Sequence, residues 1–281
     1  FRYFTRMTSG RDVPHKNTRP NVAASLLSVL LLCAACLNGV SADVSVTVNP
    51  STGADSSSCN MTSPCRTIAY AVQSRHANVV FLSAGTFVES SVAINGSIPF
   101  VNITGLPGGT VFDCRLSASS GPAFAVTNTS IAISGITFQN CANFNVLSGV
   151  GGAVSASGSI VTVSNCNFFN NVAQTGGAIG VTSGSLAVSS CLFQNNTATC
   201  PNAASTVTAC SAWGGAIGTV ETVSVSLSGN TFSSNTVNLV LGSVVSSTSQ
   251  AVGGGGCISV LYNLNVSGSR VTIDGNTFQS C

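Results

Sequence analysis

The stretch Val161-Thr-Val163-Ser-Asn-Cys166-Asn-Phe168 decides the fold, because the same phrase occurs four more times. It reads Ile131-Ala-Ile133-Ser-Gly-Ile136-Thr-Phe138 before this copy. After it come Leu186-Ala-Val188-Ser-Ser-Cys191-Leu-Phe193, Val225-Ser-Leu227-Ser-Gly-Asn230-Thr-Phe232 and Val271-Thr-Ile273-Asp-Gly-Asn276-Thr-Phe278. Two apolar positions flanking one residue make a short strand with a single buried face, and the pair that follows has turn chemistry. A unit this small cannot bury its own apolar face, so the copies must stack and the core becomes a column.

Upstream of four copies stands a glycine pair: Gly151-Gly152-Ala153-Val154, Gly176-Gly177-Ala178-Ile179, Gly214-Gly215-Ala216-Ile217 and Gly255-Gly256-Cys257-Ile258. Three residues past the phenylalanine comes Asn171, Asn196 or Asn235, replaced by Cys141 and Cys281 in the first and last copies. The GG[AC][IV] and FxxN combination resembles the repeats of chlamydial polymorphic membrane proteins. The same pair of motifs recurs in secreted proteins with a pectin-lyase-like fold. The resemblance covers about Ile131 to the end and implies an all-β chain, a right-handed parallel β-helix.

Elementary packing leads to the same architecture. Parallel strands stack about 4.8 Å apart, so an inward residue lies over its counterpart in the next repeat. Phe138, Phe168, Phe193, Phe232 and Phe278 should form an internal stack, each burying surface worth roughly 1.5–3 kcal/mol. The asparagines should pass amide hydrogen bonds up a ladder and take a left-handed turn. Gly152, Gly177, Gly215 and Gly256 belong to pairs that permit positive φ and close approach of neighbouring repeats. All these residues are read as builders of the fold rather than as chemistry.

Composition narrows the class. Charged residues make up 6% and hydrophobic residues 44%, against roughly 25% charged in an ordinary domain. A solenoid with Ser, Thr and Asn on its outer strand positions tolerates so few charges. A membrane barrel needs strands of about 9–11 alternating residues, longer than the alternation here.

Residues 1–42 read as read-through followed by a secretory signal: Met7 is an initiator, Arg11, Lys16 and Arg19 precede an apolar run from Val22 to Leu37, and Val40-Ser41-Ala42 offers small residues for cleavage. From Asp43 onward four arginines face six acids, so no basic surface argues for nucleic acid. Residues 43–98 are expected to form a cap and the first strands, with a helix over Thr67 to Arg75 plugging the first coil, and residues 99–281 the coils, truncated at the C-terminus. Membrane association is then expected only through parts outside this chain.

Ten of the twelve cysteines follow the leader. Cys59 with Cys65 and Cys200 with Cys210 each bracket a loop and read as local disulfides of an oxidising compartment. Cys166 and Cys191 share one repeat position, which suits either a disulfide or a ladder of buried thiols. Neither a CxxC pair nor a second histidine beside His76 follows the leader, so no metal or other cofactor is expected. Asn60, Asn95, Asn102, Asn128, Asn195 and Asn265 each open a glycosylation tripeptide.

β-Helix folds host pectate lyases and related enzymes, whose chemistry needs clustered carboxylates beside a cation. Asp113 and Arg115 are the best available pair, Glu89, Glu221 and Asp274 are scattered, and Trp213 is either a sugar platform or packing. No catalytic set is expected. The gap between a phenylalanine and the next glycine pair is longest at Thr197 to Ala212 and Val237 to Val252, insertions that should emerge at one corner. The function read from this pattern is a secreted or cell-surface adhesion or recognition module for a glycan or a cell-surface protein. A polysaccharide-active enzyme and an inert wall or matrix protein are the alternatives.

Overall fold

The computed structural model describes residues 43–89, 91–116, 121–144, 149–199, 209–238, 250–262 and 270–281. The chain divides into two units, Phe1–Ala42 and Asp43–Cys281, and every described residue belongs to the second. The expected leader and its cleavage point lie outside the described residues.

Short strands with one apolar face satisfy their edges only by pairing sideways, and they do so in parallel sheets. Among the described residues, sheet A has eight strands: Ser45–Val48, Val79–Leu82, Phe100–Thr104, Ser130–Ser134, Ile160–Ser164, Ser185–Ser189, Ser224–Ser228 and Arg270–Asp274, paired in that order. Sheet B takes Gly85–Phe87, Thr110–Asp113, Ile136–Gln139, Asn167–Phe169, Leu192–Gln194, Thr231–Ser233 and Thr277–Gln279. Sheet C takes Val92–Asn95, Phe124–Thr127, Val154–Ser157, Ile179–Thr182, Ile217–Thr222 and Ile258–Tyr262. The chain thus visits A, B and C in turn and returns to A one tier on, an order consistent with a solenoid. The sheets run across residue 98 without a break, since Val79–Leu82 pairs with Phe100–Thr104.

Register follows the repeat phrase. Ile131, Val161, Leu186, Val225 and Val271 pair in succession across sheet A, and so do Ile133, Val163, Val188, Leu227 and Ile273. Across sheet B the phenylalanines align. From Phe138 to Phe278 successive ring centroids are 5.2, 4.7, 4.8 and 5.0 Å apart, with planes within 11° of parallel. The column begins earlier than the phrase does, because Phe87 pairs with Phe112 and Phe112 with Phe138. The first complete tier among the described residues is accordingly Val79 to Asn95. Its inward Val80, Leu82, Phe87, Val92 and Ile94 are buried without the turn signature that marks the later copies.

Around the repeat phrase the chain turns at two left-handed residues. One lies inside the phrase: Gly135, Asn165, Ser190, Gly229 or Gly275. The other lies two past the phenylalanine: Asn140, Asn170, Asn195, Ser234 or Ser280. The left-handed turn expected at Asn171, Asn196 and Asn235 therefore falls one residue earlier, which leaves these three to act as the ladder. In the glycine pairs the labour is divided. The first member holds φ of 62–67°, while a Cβ on Gly152, Gly177 or Gly215 would strike the carbonyl oxygen of the next pair.

The expected helix is a single turn, Ile68 and Ala69 leading into a π-helical Tyr70–Ser74, with Ile68, Ala71 and Val72 buried beneath it. His76 follows it, exposed and at a φ of 52°.

Candidate functional site

Two further sheets occupy the corner between sheets B and C. Sheet D stacks Ala142–Asn143, Val172–Ala173, Thr197–Thr199 and Thr236–Asn238, and sheet E pairs Ala209–Trp213 with Gln250–Gly254. Thr197 lies over Thr236 and Ala209 over Gln250. The two longest insertions thus leave and return through the same pair of sheets, one tier apart. Their middles, 200–208 and 239–249, lie outside the described residues. Buried Ala198 and Ala212, with Val237 against them, join the flanks into a small second apolar cluster.

Trp213 is tied into this base through its backbone. Its N–H donates to the Gln174 carbonyl at 3.2 Å, and its own carbonyl accepts from Gly176 N–H at 2.8 Å. The indole is half-buried. Thr175 sits where tryptophan would be one tier earlier, bridged to Trp213 and, on the other side, to Val150.

Asp113 and Arg115 do face the same side. Arg115 Nη2 meets Asp113 Oδ2 at 3.0 Å, and Nε donates to Oδ1 at 3.3 Å. Gln139 Nε2 and Asn140 Nδ2 donate to the same carboxylate at 2.7 and 3.2 Å, and Arg115 N–H adds a fifth bond. Burial raises the carboxyl pKa, but the Arg115 guanidinium and the other donors together outweigh it and hold the group at about 2. A carboxylate with both oxygens engaged and so low a pKa is a poor proton acceptor near neutrality. Its geometry is that of an anchor joining sheet B to the turn after it.

In the sequence Glu89 is one of several scattered acids, yet the fold gives it a defined task. Its Oε1 accepts from Ile68 N–H at 2.7 Å and its Oε2 from Ala69 N–H at 2.9 Å. Asp55 accepts from the preceding Arg66 and Thr67 N–H groups and from Thr67 Oγ1. Two carboxylates far apart in the chain together satisfy the donors that open the helical turn. Burial pushes the Glu89 carboxyl up, against the two backbone hydrogen bonds that lower it. Only a tertiary contact brings Glu89 there, so no local pattern announces it. Of the other acids, Glu221 accepts from Ser183 Oγ at 3.3 Å, and Asp274 ends its strand, exposed, beside Ser228.

Cys59–Cys65, Cys114–Cys141 and Cys257–Cys281 are disulfides. The last two occupy a telling place: Cys141 and Cys281 stand at the ladder position on either side of Asn171, Asn196 and Asn235. The repeat pattern shows this replacement but not the partners, because Cys114 and Cys257 lie outside the phrase. Cys166 and Cys191 are free, buried thiols. Of the pair read as Cys200 with Cys210, Cys200 and the Cys210 side chain lie outside the described residues. The three disulfides among the described residues point to an oxidising environment.

Asn60, Asn95, Asn128 and Asn195 are exposed, Asn102 is half-buried within a sheet A strand, and Asn265 lies outside the described residues. Among the described residues no group of three or more His, Cys, Asp or Glu is placed to hold a metal ion, and no helix is long and apolar enough to cross a membrane. Comparison with protein-family models, with curated proteins and with solved structures returns no significant match for this chain.

Proposed function

We propose that this chain is a secreted or cell-surface recognition module that binds a glycan or a cell-surface protein and carries no catalytic activity. Its scaffold is a closed right-handed parallel β-helix, with the helical turn at Ile68–Ser74 covering the N-terminal end of the column. Binding falls to the corner formed by sheets D and E.

The observation that carries this reading is the stacking of two insertions on one rigid base. Loops held by paired strands vary without disturbing the core, which is how solenoids build binding faces. The engaged state of Asp113 supports the non-catalytic half of the proposal. The disulfides support the extracellular half.

The test is to shorten residues 200–208 and 239–249 to tight turns and screen both proteins on glycan and cell-surface protein arrays. Saturable binding by the parent, lost in the shortened protein at unchanged thermal unfolding, is expected. Binding that survives the deletion removes the corner from the proposal. Cleavage of a polyuronate, lost on Asp113→Ala, would replace recognition by catalysis.

A further inference from the structure

Six asparagine tripeptides occur in the sequence, and among the described residues those at Asn60 and Asn95 are exposed with the third residue's hydroxyl on the asparagine's own amide oxygen. In Asn60-Met61-Thr62 the asparagine Oδ1 accepts from Thr62 N–H at 2.8 Å, Thr62 Oγ1 at 2.9 Å and Ser63 N–H at 3.0 Å. In Asn95-Gly96-Ser97 it accepts from Ser97 N–H at 3.1 Å and from Ser97 Oγ at 2.6 Å. Both asparagines are exposed, Asn60 in a bend and Asn95 as the last strand residue before a turn. In each, the hydroxyl that defines the tripeptide points at the amide oxygen of its own asparagine. At Asn195 the corresponding hydroxyl, Thr197 Oγ1, instead lies 3.3 Å from Thr236 Oγ1 in the next tier. Asn102 shares the contact, Thr104 Oγ1 donating to its Oδ1 at 3.4 Å, but it is half-buried inside a sheet A strand with paired neighbours on both sides.

We propose that Asn60 and Asn95 are N-glycosylation sites carrying a saccharide in the folded protein. In the transfer step the amide Nδ2 attacks the anomeric carbon of a lipid-pyrophosphate-linked oligosaccharide. The new C–N bond replaces the C–O bond to phosphate, lipid pyrophosphate leaves, and Nδ2 gives up one proton. The side-chain amide passes from primary to secondary and keeps its carbonyl oxygen, so every Oδ1 contact above persists. At Asn60 the second Nδ2 hydrogen keeps its bond to the Ser58 carbonyl, 3.1 Å away. The saccharide therefore adds to these two segments without displacing any hydrogen bond that holds them.

Placement gives the two glycans a consequence. Asn60 lies in the loop closed by Cys59–Cys65, and its carbonyl accepts from Thr47 N–H on the first sheet A strand, where it covers the outer edge of that strand. Asn95 ends the first sheet C strand, at the turn toward sheet A. Neither adjoins sheets D and E, so both glycans leave the recognition corner open while they screen the first tiers, where Met61, Phe81 and Phe100 are exposed.

This inference rests on the secreted half of the proposed function, so the test separates the two. The full chain is expressed in a eukaryotic cell twice, with its own N-terminus and with an added heterologous secretory leader. Peptides are then treated with an amidase in heavy-oxygen water, which converts a glycosylated asparagine to labelled aspartate. Label at Asn60 and Asn95 in most molecules of the added-leader protein is expected, with Thr62→Ala and Ser97→Ala each abolishing it at one site alone. Only a trace of label at both sites in that protein would overturn the inference. Label confined to the added-leader protein upholds the sites and counts instead against secretion by the chain's own N-terminus.

Discussion

Asn196 and Asn235 form one step of a buried amide ladder: Asn196 Nδ2 and N–H both donate to Asn235 Oδ1, at 2.9 and 3.0 Å. Asn196 repeats the role one tier earlier, accepting from Asn171 Nδ2 and N–H, while its Nδ2 also reaches the Phe168 carbonyl at 3.0 Å. A fully buried asparagine is tolerable here because every polar atom is used. A second ladder runs through Cys166, Cys191, Asn230 and Asn276, in which Cys191 Sγ accepts from Cys166 N–H at 3.4 Å and Asn230 Oδ1 from Cys191 N–H at 2.9 Å.

Asn196→Ala should destabilise the fold by about 2–4 kcal/mol, since it strands donors of Asn171 and an oxygen of Asn235 in a dry interior. Urea unfolding measures this. Gln194→Ala, at an exposed position two residues earlier, is the control. A cost at Asn196 no larger than at Gln194 would mean that the ladder is ornamental.

Phe193→Ala removes a ring stacked on both sides and should cost about 3–5 kcal/mol, as cavity-forming substitutions do. Thr162→Ala, on the exposed face of sheet A, should stay within about 0.5 kcal/mol. Equal losses at the two positions would contradict the column.

Asp113 sets an acid limit. Its folded pKa of about 2 lies below the ordinary 3.8, so its contribution is complete above 3.8 and is lost as pH falls toward 2. The linkage amounts to at most about 2 kcal/mol, reduced by solvent screening at the exposed Arg115 end of the pair. Asp113→Asn should lower stability at neutral pH and flatten the acid limb of an unfolding-against-pH curve.

Glu89 acts with the opposite sign. Its folded pKa is raised above 4.5, so its protonated form suits the fold and stability declines as pH rises from 4.5 through the folded value. Glu89→Gln, which keeps a carbonyl acceptor for the helical turn, should reduce that decline. An unchanged slope between acidic and neutral pH would show that the carboxylate is solvated.

Cys166 and Cys191 should resist alkylation in the native protein and react only as it unfolds, because both are buried. The hydrogen bond with Cys191, together with burial, also pushes the Cys166 thiol up, away from the reactive thiolate. Peptide mapping after brief native labelling checks this; fast modification of either would require an opening of the column.

The repeat phrase by itself determined the parallel stack, its register and the phenylalanine column, because strand alternation, turn residues and a recurring inward position are all local and periodic. It also marked the residues of the amide ladder and the corner from which the insertions emerge. Tertiary structure alone decided the rest. Glu89 reaches the helical turn, Cys114 and Cys257 find the ladder cysteines, and Asp113 gathers Gln139 and Asn140 across a tier. The first tier, Val79 to Asn95, joined the column without the phrase. Each of these contacts links residues from different tiers or from outside the repeat, and a separation set by how the chain stacks leaves no periodic trace along it.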